Sequence, residues 1–148
     1  MFETASVVQK VSREDFDRIA APLRMELLGL QDQIKSEDFS VVLVFAGAAT
    51  AGKAEALDLI NEWMDPRWLI TRAYGPPSDE ERERPEYWRY WRDLPPRGRI
   101  GLFAGSWYHK PIQDYVYGDS NKAAYLAALE RITAFERTLA DSGTLIIK

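Results

Sequence analysis

Residues 39–54 read Phe-Ser-Val-Val-Leu-Val-Phe-Ala-Gly-Ala-Ala-Thr-Ala-Gly-Lys-Ala, and the reading of this stretch decides the fold. Val41 to Phe45 is a β-branched and aromatic run of strand length. Gly47-x4-Gly52-Lys53 follows, and then Ala56, Leu57, Leu59, Ile60, Trp63 and Met64 mark out an apolar helical stripe over 54–64. Strand, glycine-rich loop and helix is the order that a phosphate-binding loop requires, because free N–H groups and the positive end of the helix must face the anion. Such a loop usually closes with Ser or Thr, whose hydroxyl holds Mg²⁺. Ala54 stands in that place and offers no oxygen. The plain alternative is a glycine-rich turn between a strand and a helix, and the three fixed positions alone are a weak signal. Lys53 tips the balance, since the dipole disfavours a lysine at a helix start unless an anion is present. Gly47, Gly52, Lys53 and Ala54 are therefore the phosphate-binding candidates, and Lys53, whose ammonium reaches the terminal phosphates, is the catalytic candidate.

Outward from this stretch the chain alternates. Ser12 and Asp15 signal the start of an amphipathic helix over 12–36, with Phe16, Ile19, Leu23, Leu27, Leu30 and Ile34 on one face and Pro22 as a point of bending. Asp65-Pro66 breaks the helix that follows the loop, and Trp68 to Thr71 reads as a second strand ended by Gly75-Pro76-Pro77. Ser78 and Glu81 form another capping box, opening a helical stretch to about Asp93 that is interrupted or restarted at Pro85. Ile100 to Ala104 is a third strand, 106–116 helix and turn, 121–140 a long helix, and Thr144 to Ile147 a fourth strand. Strands alternating with helices predict an α/β fold, a parallel sheet with helices on both faces, over a core of 39–148. The last residues, Leu145-Ile146-Ile147-Lys148, read as an interior strand, which predicts a chain truncated at its C-terminus.

Composition narrows the function classes. At 148 residues, with 46% hydrophobic and 28% charged, the chain predicts one globular domain, 1–148, rather than disorder. A net charge of −4 argues against a general nucleic-acid binder, which needs a basic footprint. Cysteine is absent, which removes a disulfide frame, a thiolate metal site and a cysteine nucleophile. The N-terminus lacks a basic start and an apolar core, and no stretch approaches membrane-spanning length. The expectation is a soluble cytoplasmic protein with neither nucleic acid nor membrane as partner.

Two further segments could carry chemistry. Arg82, Arg84, Arg89, Arg92, Arg97 and Arg99 crowd one region, and on a continuous helix Arg82 and Arg89 would lie within about 20° of each other, forming a two-guanidinium face for a phosphate chain. Against this stands a solvated helix laced with Glu81, Glu83 and Glu86, the more usual fate of a charge run. Tyr87, Trp88, Trp91 and Leu94 lie on the other side, as core rather than as a stacking platform. In the second segment, 100–110, a P-loop kinase would end the strand in an Asp that fixes Mg²⁺. Here it ends in Ala104-Gly105, and neither can bind a metal. His109 has no neighbouring nucleophile or orienting carboxylate and reads as an ordinary polar residue; Ser106 reads as a helix N-cap.

Taken together, Ser106-Trp107-Tyr108, Ser78-Asp79-Glu80-Glu81-Arg82, Leu94-Pro95 before Gly98 and the loop at 47–53 resemble the polyphosphate kinase family 2. Asn61 to Arg67 and Tyr87 to Pro95 resemble more closely the N-terminal, degenerate half of its two-domain polyphosphate:AMP phosphotransferase type. The resemblance covers nearly the whole chain. It implies a P-loop kinase-like three-layer sandwich, phosphoryl transfer from polyphosphate to AMP giving ADP, Mg²⁺ as cofactor, and a second kinase domain or a homo-oligomer as partner. In an enzyme reading Arg82, Arg89, Arg92 and Lys110 guide polyphosphate, and the resemblance implies that a helical lid and a last strand lie beyond these residues. The family's loop reads Gly-x-Asp-x-x-Gly-Lys-Gly and its second motif Asp-Arg-Ser-Trp-Tyr-Asn-Arg. Gly47, Gly52, Lys53, Ser106, Trp107 and Tyr108 match, and Lys110 keeps the charge of an Arg. Ala49 and Ala104 replace the two Asp residues, Gly105 an Arg, and His109 the Asn, while Ala54 falls where the family has Gly. Two readings result: an active polyphosphate-dependent kinase, or a degenerate domain, without protein metal ligands, that supports an active partner and still holds polyphosphate. The missing carboxylates favour the second.

Overall fold

A computed structural model describes residues 11–47 and 52–148. The middle of the glycine-rich loop, Ala49 included, lies outside the described residues. The elements are α1 (Arg13–Ile34), β1 (Ser40–Phe45), α2 (Lys53–Trp63), a 3-10 turn (Pro66–Trp68), β2 (Leu69–Ala73), α3 (Asp79–Arg82), α4 (Trp88–Arg92), β3 (Ile100–Ala104), α5 (His109–Tyr117), α6 (Lys122–Asp141) and β4 (Thr144–Ile147). The strands form one sheet in the order β2-β3-β1-β4, every pair parallel.

Alternation along β1 sends side chains to two separate cores. Val42 and Val44 join Phe103 and, on the α6 side, Ile132, Phe135 and Leu139, with Trp107 and Tyr90 closing that layer. Val41 joins Ile100 and Leu102 beneath Leu57 of α2, with Leu27 and Ile34 of α1 packed against them. Helices thus cover both faces of the parallel sheet as expected, which is why β1 is apolar without a polar face. No helix among the described residues is long and apolar enough to cross a membrane.

The stretch 78–93 breaks at Pro85 as expected, while other local expectations are corrected. α3 is a single turn held by the capping box, Ser78 Oγ accepting from Glu81 N at 3.2 Å and Ser78 N donating to Glu81 Oε2 at 3.0 Å. Pro85 lies between α3 and α4, and its carbonyl accepts from Trp88 N at 2.9 Å, so the chain restarts there. Arg82 and Arg89 therefore belong to different elements, and their shared helix face does not exist. Trp68 belongs to a 3-10 turn capped by Asp65, whose Oδ1 accepts from Arg67 N at 3.0 Å, so β2 begins one residue later than expected. Among the described residues β4 pairs with β1 alone, and its Leu145 and Ile147 are about half exposed, which leaves the interior-strand reading of 144–147 untested.

α1 departs from its amphipathic reading as well. It runs unbroken through Pro22, but Phe16, Ile19, Leu23 and Leu30 are all exposed, and its one fully buried side chain is Gln31. That amide closes a two-way bond with the backbone after α2, donating Nε2 to Asp65 O at 3.0 Å and accepting from Asp65 N at 2.8 Å. A buried amide satisfied on both sides fastens α1 more specifically than an apolar contact would.

Candidate functional site

Three parallel strands end level with one another. Phe45 pairs with Ala104 and Ala104 with Ala73, so the loops after β1, β2 and β3 leave from one edge, the usual place for a ligand in an open α/β sheet. After β1, Gly52 adopts the left-handed conformation (φ 75°) that caps α2 without a Cβ penalty. Lys53 is the first residue of α2 and donates Nζ to Gly47 O at 2.6 Å, drawing together the two ends of the glycine-rich loop. Ala54 follows on an exposed turn.

After β3 the backbone itself is specialised. Gly105 has φ 78°, donates its N–H to Phe45 O at 3.0 Å, and would place any Cβ 3.0 Å from Tyr74 O. An arginine, which the family motif implies at this position, would carry both the left-handed strain and that contact. Ser106 is buried; its Oγ accepts from Tyr108 N at 3.2 Å and its carbonyl accepts from His109 N at 3.0 Å. It closes a tight turn, so α5 starts at His109 and Ser106 is not its N-cap.

Mg²⁺ is tested by the donors present. Ala104 ends β3 with a methyl group and Gly105 with none, so this strand end does not fit a hard cation that requires oxygen ligands.

Beyond this edge lies a cavity of about 700 Å³, between the α3–α4 segment, α5 and α6, within the size range of small-molecule sites. Arg82, Arg84, Arg89, Lys110 and Arg131 line it, against three acidic residues, Glu81, Glu86 and Asp114. The cations are partnered: Arg89 Nη2 lies 3.5 Å from Glu81 Oε2, Lys110 Nζ 2.6 Å from Asp114 Oδ2, and Arg131 Nε 2.9 Å from Glu86 Oε2. Arg82 turns to Asp79 at 2.6 Å. Arg92 does not line the cavity. Its Nη2 lies 3.4 Å from Glu81 Oε1, and its guanidinium stacks 4.9 Å from the Trp88 ring centre. Nor do Gly47, Gly52, Lys53 or Ala54 line it. The loop and the cavity are distinct parts of one end of the molecule.

Three buried polar atoms make no hydrogen bond within the described residues: Tyr87 Oη, Arg89 Nε and Ser120 Oγ. All three residues line this cavity. Unsatisfied buried polar groups are rare in folded proteins, and here three of them belong to residues lining one space. Burial, and then the Glu86 charge, push the Tyr87 hydroxyl up to about 12, with Arg131 pulling the other way, so it remains a donor at neutral pH. Arg131 and Ser120 carried no sequence signal, because their cavity neighbours lie on remote segments; Glu86 and Arg131 are 45 residues apart.

A profile of the family described as polyphosphate kinase 2 matches residues 10–148. This chain belongs to the polyphosphate kinase 2 family. It is 40% identical over its whole length to a polyphosphate:AMP phosphotransferase of Pseudomonas aeruginosa, and it spans 30% of that relative's length. It is also 32% identical, over 95% of its residues, to a GDP-polyphosphate phosphotransferase of Mycobacterium tuberculosis, of which it spans 48%. Among solved structures, a polyphosphate kinase 2 from Pseudomonas aeruginosa superposes with a TM-score of 0.91 at 40% identity, covering 99% of this chain and 32% of that one. One from Arthrobacter aurescens gives a TM-score of 0.85 at 26% identity, covering 94% and 51%. The expected P-loop kinase-like α/β architecture is thus the architecture of polyphosphate kinase 2 domains. Within that family framework, the turn after β3 carries the Ser106-Trp107-Tyr108 motif, and Lys110 follows it into the cavity wall.

Proposed function

We propose that this chain is a phosphate-binding domain of a polyphosphate:AMP phosphotransferase that has lost phosphoryl transfer while keeping recognition of polyphosphate or a nucleoside phosphate. It acts in the cytoplasm beside an active kinase domain or a second copy. The observation that carries the reading is the end of β3, level with the end of β1, where Ala104 and Gly105 supply neither carboxylate nor guanidinium. Phosphoryl transfer consists almost entirely of positioning and charge stabilisation, so removing those groups affects turnover more than binding. Lys53, the glycine-rich loop and the cationic cavity remain for the anion. Arg82, Arg89 and Lys110 guide it along the cavity, and Arg92 acts from outside by competing for Glu81.

Two measurements test this. Incubation with AMP, polyphosphate and Mg²⁺ is expected to yield no ADP above the level of Lys53→Ala; turnover that K53A abolishes would overturn the loss of catalysis. Titration of polyphosphate at two salt concentrations is expected to show binding that weakens with salt and with K53A. Absence of binding at both concentrations would remove the ligand from the reading.

A further inference from the structure

Glu136, on α6, gathers donors from two other segments. Trp107 Nε1 donates to Glu136 Oε1 at 2.9 Å, and Tyr108 Oη donates to the same oxygen at 2.7 Å. Lys148, just past β4, donates Nζ to Glu136 Oε2 and to Tyr108 Oη, each at 2.7 Å. Its ammonium also stands 5.1 Å from the Tyr108 ring centre. The Glu136 side chain is 16% exposed and that of Lys148 49%, so the carboxylate end of this cluster is sheltered while the ammonium stays partly in water. Burial alone would push its carboxyl up; the bonds from Lys148, Tyr108 and Trp107 outweigh that and hold it below its usual range.

The sheet order gives this cluster its meaning. β3 and β4 flank β1, so the turn after β3 and Lys148 after β4 stand on opposite sides of the strand that feeds the glycine-rich loop. A buried indole needs only one acceptor, and any carbonyl would serve. Here the Glu136–Lys148 ion pair joins α6 to the end of β4, and the bonds from Trp107 and Tyr108 tie that pair to the turn after β3, across the end of β1. Neither Glu136 nor Lys148 lines the cavity, but Trp107, His109 and Lys110, on the turn they hold and its continuation, do. We propose that Glu136, with Lys148 and Tyr108, is a positioning clamp that fixes the turn after β3, and with it the Lys110 wall of the cavity, relative to the phosphate loop. The clamp rests on the phosphate-binding reading of this end of the molecule.

The test uses the 148-residue chain with Glu136→Gln, Lys148→Met and the double variant, and Tyr108→Phe as a milder change should any of them fail to fold. Glutamine keeps a carbonyl for Trp107 and Tyr108 but loses the charge that draws Lys148. Amide hydrogen exchange is expected to accelerate about tenfold over residues 104–110 in each folded variant. Polyphosphate affinity is expected to fall by a similar factor, with the double variant no worse than either single one, because one unit is broken in each. Exchange unchanged over 104–110 would overturn the clamp, as would acceleration spread evenly over the whole chain, the mark of a general stability loss. So would affinity within twofold of wild type in both single variants. If the wild-type chain binds no polyphosphate, the phosphate-binding reading fails by itself, and the exchange measurement still decides the clamp.

Discussion

Gly105 shows how tightly one backbone position can be tied to its residue type. Its left-handed φ of 78° and the Tyr74 carbonyl 3.0 Å from any added Cβ suit only a residue without a side chain. Gly105→Ala is therefore expected to cost about 1–3 kcal/mol, read as a lowered urea midpoint; an unchanged midpoint would mean that the turn yields freely. Glu136 offers a second test, through pH. Its folded carboxyl titrates below the ordinary value of 4.5, so it contributes stability above that pH and loses it as pH falls through the folded value. Glutamine lacks this contribution. The melting temperature of the wild type is expected to exceed that of Glu136→Gln most at pH 7, with the gap closing in acid below 4.5. A gap that stays constant across this range would assign the effect to packing instead.

At the scale of elements, α3 matters more than its single turn suggests. Its capping box uses Glu81, and the same carboxylate faces Arg89 and Arg92 at 3.5 and 3.4 Å. Glu81 thus holds two guanidiniums that an entering phosphate would otherwise attract, one of them in the cavity wall. Glu81→Gln is expected to tighten polyphosphate binding several-fold in a direct titration, because an internal competitor is removed while the amide oxygen still accepts from Ser78 N. Weaker binding would show instead that Glu81 organises the arginines. The strands and the glycine-rich loop with its helix could be read from the chain because their patterns are local: β-branched runs, glycines and a 3.6-residue apolar stripe. The break at Pro85 could be read too, but not where α4 packs, because that involves contacts such as Tyr87 stacking 4.5 Å from Phe135 in a helix far along the chain.

For the molecule as a whole, stability rests on two cores, one on each face of β1. Leu139 is fully buried in the α6-side core, and Leu139→Ala is expected to cost about 2–5 kcal/mol. That loss would lower the chemical-denaturation midpoint markedly; a shift of less than about 1 kcal/mol would show that this core collapses to fill the gap. By itself the sequence determined the α/β class, the parallel sheet with helices on both faces, the family, and the missing carboxylate and guanidinium at Ala104 and Gly105. These follow from short-range pattern and residue identity. Only the tertiary structure decided that Arg82, Arg89 and Lys110 meet at one cavity while Arg92 does not, that Arg131 joins them, and that Glu136 ties Tyr108 to Lys148. Each of those placements joins segments far apart in the chain, and no periodicity within one element reports which distant element it will pack against.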